Sequence, residues 1–143
     1  MLFRSQAAAA YRAHPEIRVV FAPYDEFARG AKLAADEANL SSKLRIYSAD
    51  ISTSDIEAIR APNSAWVATA ATNPAVVGAV SVRAAALLLA GQTPEHRIVV
   101  KPTLITRDDL VKNNIKTIAE LGDKFPAFRS SDAATAAWIP AAD

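Results

Sequence analysis

Apolar positions along the chain fall into two rhythms. Short runs at residues 17–22, 44–48 and 65–71 are rich in Val, Ile and aromatics and end in turn residues, which is the pattern of buried strands. Between them apolar residues recur every three or four positions. Phe27, Ala31, Ala34, Ala35 and Ala38 share one side of a helix whose first turn holds Asp25 and Glu26, where carboxylates complement the helix dipole. Strand, helix and strand in that order imply parallel strands joined by a crossover. Gly30 lies inside this helix at a cost of about 1 kcal/mol against alanine, so close packing on the sheet is expected there.

The remaining elements follow from caps and breakers. Residues 6–13 are Ala-rich and helical, and the His14-Pro15 pair stops them. Ser52 caps a short helix carrying Ile56 and Ile59. Asn73 is an N-cap and Pro74 a first helical residue. The helix from Pro74 to about Ala90 is the longest, with Val77, Val80, Ala84, Leu87 and Leu88 on one face and Gly91 as its C-cap. Residues 97–101 read as a fourth strand, with Pro102 marking an edge or the end of pairing. Residues 103–106 read as extended, and Thr106 as the cap of a short helix over 107–111. Past residue 113 the signal weakens. The aromatic–proline stretches at 124–128 and 138–140 read as irregular chain held by buried aromatics. The expectation is therefore an α/β fold of parallel-sheet βαβ layers, with a ligand-binding lobe over 1–112 and an irregular tail over 113–143.

Composition narrows the function. A chain of 143 residues supports one core of useful size. With no cysteine, disulfides, thiolate nucleophiles and Cys-ligated zinc are excluded. A net charge of +1 draws the protein to neither nucleic acid nor anionic lipid, and no apolar run is long enough for membrane insertion. Residues 1–6 do not read as a signal peptide. His14 and His96 lie in turns, with no serine or carboxylate at triad spacing, so no catalytic residue is assigned and no enzyme is expected. There is no GxGxxG, no GxxxxGK[ST] and no metal-ligand cluster, so neither cofactor nor metal is expected.

What remains is Tyr24, Asp25, Asp50, Thr72 and Asn73, all just past the carboxyl ends of the three strands. In open α/β sheets that edge is where ligands bind. Carboxylates accept from adjacent hydroxyls, an aromatic ring covers the apolar face of a sugar, and a short hydroxyl or amide fixes orientation. These groups suit a polyhydroxylated ligand, although polar residues at strand ends are also ordinary caps.

The order of these segments resembles the type I periplasmic sugar-binding proteins, the substrate-binding components of ABC importers related to ribose-binding protein. Residues 20–31, VFAPYDEFARGA, resemble the family's F-A-x-N-D-x-x-A-x-G-A segment. Residues 46–50 resemble its strand ending in a ligand-binding Asp, and residues 67–78 its T-x-x-Q-x-P-x-x-x-G segment. Residues 90–94 resemble L-x-G-x-x-P, residues 102–106 resemble P-x-x-L-I-T, and the Trp138-Ile139-Pro140 ending occurs in some members. The resemblance implies a periplasmic sugar or polyol binder that serves an ABC transporter permease. It implies Asp50 as the ligand Asp, with Tyr24 where the family has Asn and Thr72 where it has Gln. It further implies that this chain corresponds to the C-terminal half, with the N-terminal lobe missing and the 74–91 helix belonging to the other lobe. The Val/Leu face of that helix is then expected to be covered by this chain's own sheet or by self-association with a second copy. The rival reading is the effector-binding domain of a LacI-type repressor, which shares the fold.

Overall fold

A computed structural model describes residues 2–139. The elements in order are α1 (Leu2–Ala13), β1 (Val19–Ala22), α2 (Asp25–Glu37), β2 (Arg45–Ala49), α3 (Thr53–Arg60), β3 (Trp66–Ala71), α4 (Pro74–Leu89), β4 (Thr103–Thr106), α5 (Arg107–Lys112), α6 (Ile118–Lys124) and α7 (Pro126–Arg129). They build one four-stranded sheet in the order β1-β2-β3-β4. Val19 pairs with Arg45 and Phe21 with Tyr47 in parallel, and Ser48 pairs with Thr69, also in parallel. β4 runs antiparallel to β3, with Leu104 opposite Ala70.

The first three strands and their connecting helices stand where the apolar runs place them. Their ends are set by local chemistry. Ser52 Oγ accepts from the Asp55 N–H while the Asp55 carboxylate accepts from the Ser52 N–H, a reciprocal cap on α3. Asn73 Oδ1 accepts from the Ala75 N–H at 3.0 Å, and Pro74 opens α4. Gly91 takes φ +74°, and Gln92 N–H reaches back to the Leu87 carbonyl to close that helix.

The core lies on one face of the sheet. Ala22, Ile46, Trp66, Ala71 and Ile105 from the strands meet Ala28, Ala31, Ala34 and Ala35 of α2, Ile56 and Ile59 of α3, and Leu110 of α5. Trp66 is fully buried, and its indole N–H donates to Ser48 Oγ at 2.8 Å, so its polar edge is satisfied inside the core. α1 lies along α2, with Tyr11 in the core and its hydroxyl donating to the Ala31 carbonyl.

Three expectations are corrected. Residues 97–101 form no strand; β4 is the extended segment 103–106, beyond Pro102, and it pairs antiparallel. Pro102 has no N–H to give a ladder, and Ile98 and Val99 instead line a hollow beside Leu87 of α4. Gly30 faces α1 and not the sheet: a Cβ there would stand 3.0 Å from Phe3 Cβ and from the Arg4 backbone nitrogen. The buried side of α4 is Val76, Val80, Arg83 and Leu87, while Val77 and Leu88 are exposed. That side joins neither the sheet nor the main core. Arg83 donates to the Ser131 carbonyl at 2.7 Å, so the chain's own C-terminal segment holds the helix.

The C-terminal region carries two helical segments. Thr117 and Glu120 form a reciprocal cap on α6, and Leu121 and Phe128 enter the main core. Residues 140–143, including Pro140 of the aromatic–proline ending, lie outside the described residues.

Candidate functional site

The three parallel strands end on the same side of the sheet, and a crevice of about 410 Å³ opens there. Tyr24, Asp25, Asp50 and Thr72 all line it, joined by Ile51, Pro74 and Val77. Four of the five residues singled out from the sequence thus share one cavity. Asn73 does not: its amide oxygen caps α4, and the residue lines a separate hollow beside Arg83.

Each polar group is held by the backbone around it. Asp50 follows β2 with φ +67°, the left-handed region, which aspartate tolerates better than most residues. β3 fixes it on both sides: Asp50 N–H donates to the Ala70 carbonyl at 3.1 Å, and its own carbonyl accepts from Thr69 Oγ1 at 2.7 Å. The carboxylate therefore leaves a backbone that cannot swing. Asp25 opens α2, and its Oδ1 accepts from the Glu26 N–H at 2.7 Å. Burial pushes its carboxyl above the usual carboxylate range; the nearby Asp55 charge adds to this, and the Glu26 N–H opposes it.

Behind the rim lies an ion pair that joins the two loops. Arg29 of α2 donates to Asp55 of α3 at 2.5 Å and to Ser54 Oγ at 2.8 Å, with Asp55 fully buried. The remaining Asp55 oxygen takes the Ser52 N–H and hydroxyl. This fixes the first turn of α2, which bears Asp25, against the segment that follows Asp50. An aromatic ladder supports Tyr24. Its ring lies 5.9 Å from Phe27, which stacks on Phe3 at 3.7 Å. The sequence offered no sign of the Arg29–Asp55 pair, because two charges 26 residues apart carry no local pattern. Pro74 and Val77 were within reach: they lie on the first turn of a helix starting at the rim.

The crevice therefore offers two carboxylates and one hydroxyl along the strand ends, with a ring, an isoleucine, a proline and a valine around them. Carboxylates and hydroxyls bind a polyol's hydroxyls, and the apolar groups cover its C–H faces. Among the described residues no group of three or more His, Asp or Glu is placed to hold a metal ion. His14 is exposed and contacts Glu16 at 3.2 Å, away from the crevice.

The family model described as "Periplasmic binding protein domain" matches residues 3–93, well over half of the chain. The chain belongs to this periplasmic binding protein family. Solved structures agree. The 5-methylthioribose transporter solute binding protein from Thermotoga lettingae, in complex with 5-methylthioribose, is 40% identical, with a TM-score of 0.90 over 95% of this chain and 43% of that one. A sugar ABC transporter protein from Yersinia enterocolitica is 26% identical with a TM-score of 0.85, over 95% of this chain and 41% of its own. An ABC transporter solute binding protein from Agrobacterium vitis with bound allitol is 25% identical with a TM-score of 0.70, over 77% of this chain and 38% of its own. Among curated proteins no sequence matches. The chain spans less than half the length of these periplasmic-binding structures. Its kinship is with transport solute-binding proteins rather than enzymes, and the repressor alternative is not favoured. Among the described residues no helix is long and apolar enough to cross a membrane.

Proposed function

We propose that the chain is the sugar- or polyol-binding part of a periplasmic ABC import component, delivering its ligand to a membrane permease. The observation that carries this reading is the meeting of Tyr24, Asp25, Asp50 and Thr72 in one crevice at the strand ends. Asp50 and Asp25 accept from neighbouring hydroxyls, Thr72 fixes orientation, and Tyr24 covers an apolar face of the ligand. A cavity of about 410 Å³ suits a five- or six-carbon sugar. Within that class the favoured ligand is a pentose bearing an apolar thioether group. The 40% identical relative holds 5-methylthioribose, and a methylthio group gains from contact with an aromatic edge such as that of Tyr24.

The test is calorimetric titration with 5-methylthioribose, ribose and allitol, alongside thermal shift, because a ligand that binds only the folded form raises its stability with occupancy. Binding of at least one of these, lost on Asp50→Ala, is expected. An unchanged response in that variant removes Asp50 from the site, and ribose equal to 5-methylthioribose removes the thioether preference.

A further inference from the structure

Among the described residues two charged side chains are buried, Asp55 and Arg83. Asp55 has its counter-charge in Arg29. Arg83, only 8% exposed, has none. Among the described residues no carboxylate pairs with it, and its Nη1 donates to the Ser131 and Ala133 carbonyls. A buried cation without a counter-charge is costly, and an anion brought beside it offsets that cost. The unused edge of the guanidinium is Nε and Nη2. Neither atom makes a hydrogen bond among the described residues, and neither is sealed in protein as the Nε atoms of Arg29, Arg60 and Arg107 are. Two parallel N–H groups on one edge are what grips an oxyanion with a pair of bonds.

Arg83 lines a hollow of about 240 Å³ between α4 and residues 129–131, on the side of the helix away from the crevice residues Pro74 and Val77. Asn73, Arg129, Ser130 and Ser131 line it too, and none of its lining residues is acidic. Arg129 meets Asp123 at 3.8 Å with both side chains mostly exposed, a weak pair that leaves its charge free to turn to a ligand. Neutral donors stand beside the two cations. Asn73 Oδ1 caps α4 and leaves the amide nitrogen to give, and Ser131 Oγ accepts from the Ala133 N–H and leaves its own O–H to give. The donors come from the start of α4, from its middle and from the chain after α7, so they surround a ligand rather than meet one flat edge. We propose that this hollow binds a tetrahedral oxyanion of the phosphate class, gripped by Arg83 and Arg129. The site is separate from the sugar crevice, and its ligand ties α4 to the C-terminal segment beside the Arg83–Ser131 contact.

The test is calorimetric titration of the full 143-residue chain with inorganic phosphate, in a zwitterionic buffer at low salt, with hydrogen exchange of α4 followed in parallel. The expected result is one phosphate per chain, saturating by about 10 mM, and slower exchange of the α4 amides on saturation. Arg83→Met should weaken binding more than about tenfold, as loss of a buried charge partner does. That variant also loosens α4, so Arg129→Gln is the second arm. Arg129 is exposed and lies off α4, so the unfolding curve should hold while phosphate affinity falls about two- to fivefold, the worth of an exposed charge. Lys43→Gln, exposed and no part of the hollow, should leave affinity unchanged. Acetate should bind more weakly than phosphate. No saturation by about 10 mM, or full affinity in either arginine variant, overturns the proposal. So does an equal loss in Lys43→Gln, which would mean diffuse attraction to surface charge. Acetate equal to phosphate overturns the tetrahedral assignment. No sugar enters the experiment, so this site and the crevice stand or fall separately.

Discussion

Arg29→Ala is the substitution whose cost the structure sets most directly. Arg29 is the cation facing Asp55, which is fully buried, while the Arg29 side chain is 26% exposed. Removing one partner of a buried pair leaves an uncompensated charge and costs about 3–5 kcal/mol. Two features place this case at the low end. Asp55 keeps its bonds from the Ser52 N–H and hydroxyl. Arg29 Nε is itself buried with no partner, which lowers the net worth of the arginine. A loss of about 3 kcal/mol follows, or about 10 °C in melting temperature for a chain of this size. Urea unfolding with a double-mutant cycle against Asp55→Asn isolates the pairwise part, which should exceed about 1 kcal/mol. The pair also ties α2 to α3 behind Asp25 and Asp50, so ligand affinity should fall along with stability. A loss under about 1 kcal/mol with ligand response intact would refute both the energetic argument and the idea that this pair fixes the rim.

Gly30→Ala gains about 1 kcal/mol of helix propensity but drives a Cβ to 3.0 Å from Phe3 and Arg4. Overpacking of about 1–3 kcal/mol should win, giving net destabilisation in chemical unfolding. At Asp50, whose φ is +67°, Asp50→Gly should be more stable than Asp50→Ala by about 1 kcal/mol, while calorimetry finds ligand binding lost in both. Asp25 has a folded pKa raised above its unfolded one, so its contribution to stability is present below the unfolded value and lost as pH rises through the folded value. Relative to Asp25→Asn, the wild-type melting temperature should therefore fall as pH rises above the ordinary Asp pKa of about 3.9, and a gap that does not change with pH there would count against it.

Much of the fold was legible because local and tertiary demands agree there. The run from residue 17 to Asp50 has strand-forming residues bounded by turn residues, and an acidic first turn on its helix. Ser52, Asn73 and Gly91 cap where their chemistry requires. β4 was misplaced because residues 97–101 and 103–106 are both short and extended, and only pairing with β3 chooses between them. α6 carried a readable signal, Thr117 followed by Glu120, in a stretch otherwise poor in periodicity. Of the site, the strand ends were legible because residues at a carboxyl edge share a side by topology alone. Asn73 stands outside the crevice as the cap of α4, and the sequence does not separate the two places because a helix start and a site rim ask for the same residue type. The buried face of α4 was misjudged because an arginine at its centre broke the apolar pattern.

That arginine bears on the crevice. One side of the cavity is sheet edge, with Asp50 and Thr72; the other is the first turn of α4, with Pro74 and Val77. The main core contains no residue of α4, so the sheet does not hold that second side. Arg83 does, two turns further along, through the Ser131 carbonyl at 2.7 Å and the Ala133 carbonyl at 3.5 Å. The C-terminal segment, far from the crevice in sequence, thus holds the helix that forms its second side. Arg83→Met keeps the aliphatic stem and removes both bonds. Because the core is untouched, global unfolding should shift by only about 1 kcal/mol, while the amides of α4 exchange faster and ligand affinity drops. Unchanged exchange along α4 would mean that the helix is held by something other than this contact, and that the crevice does not depend on it.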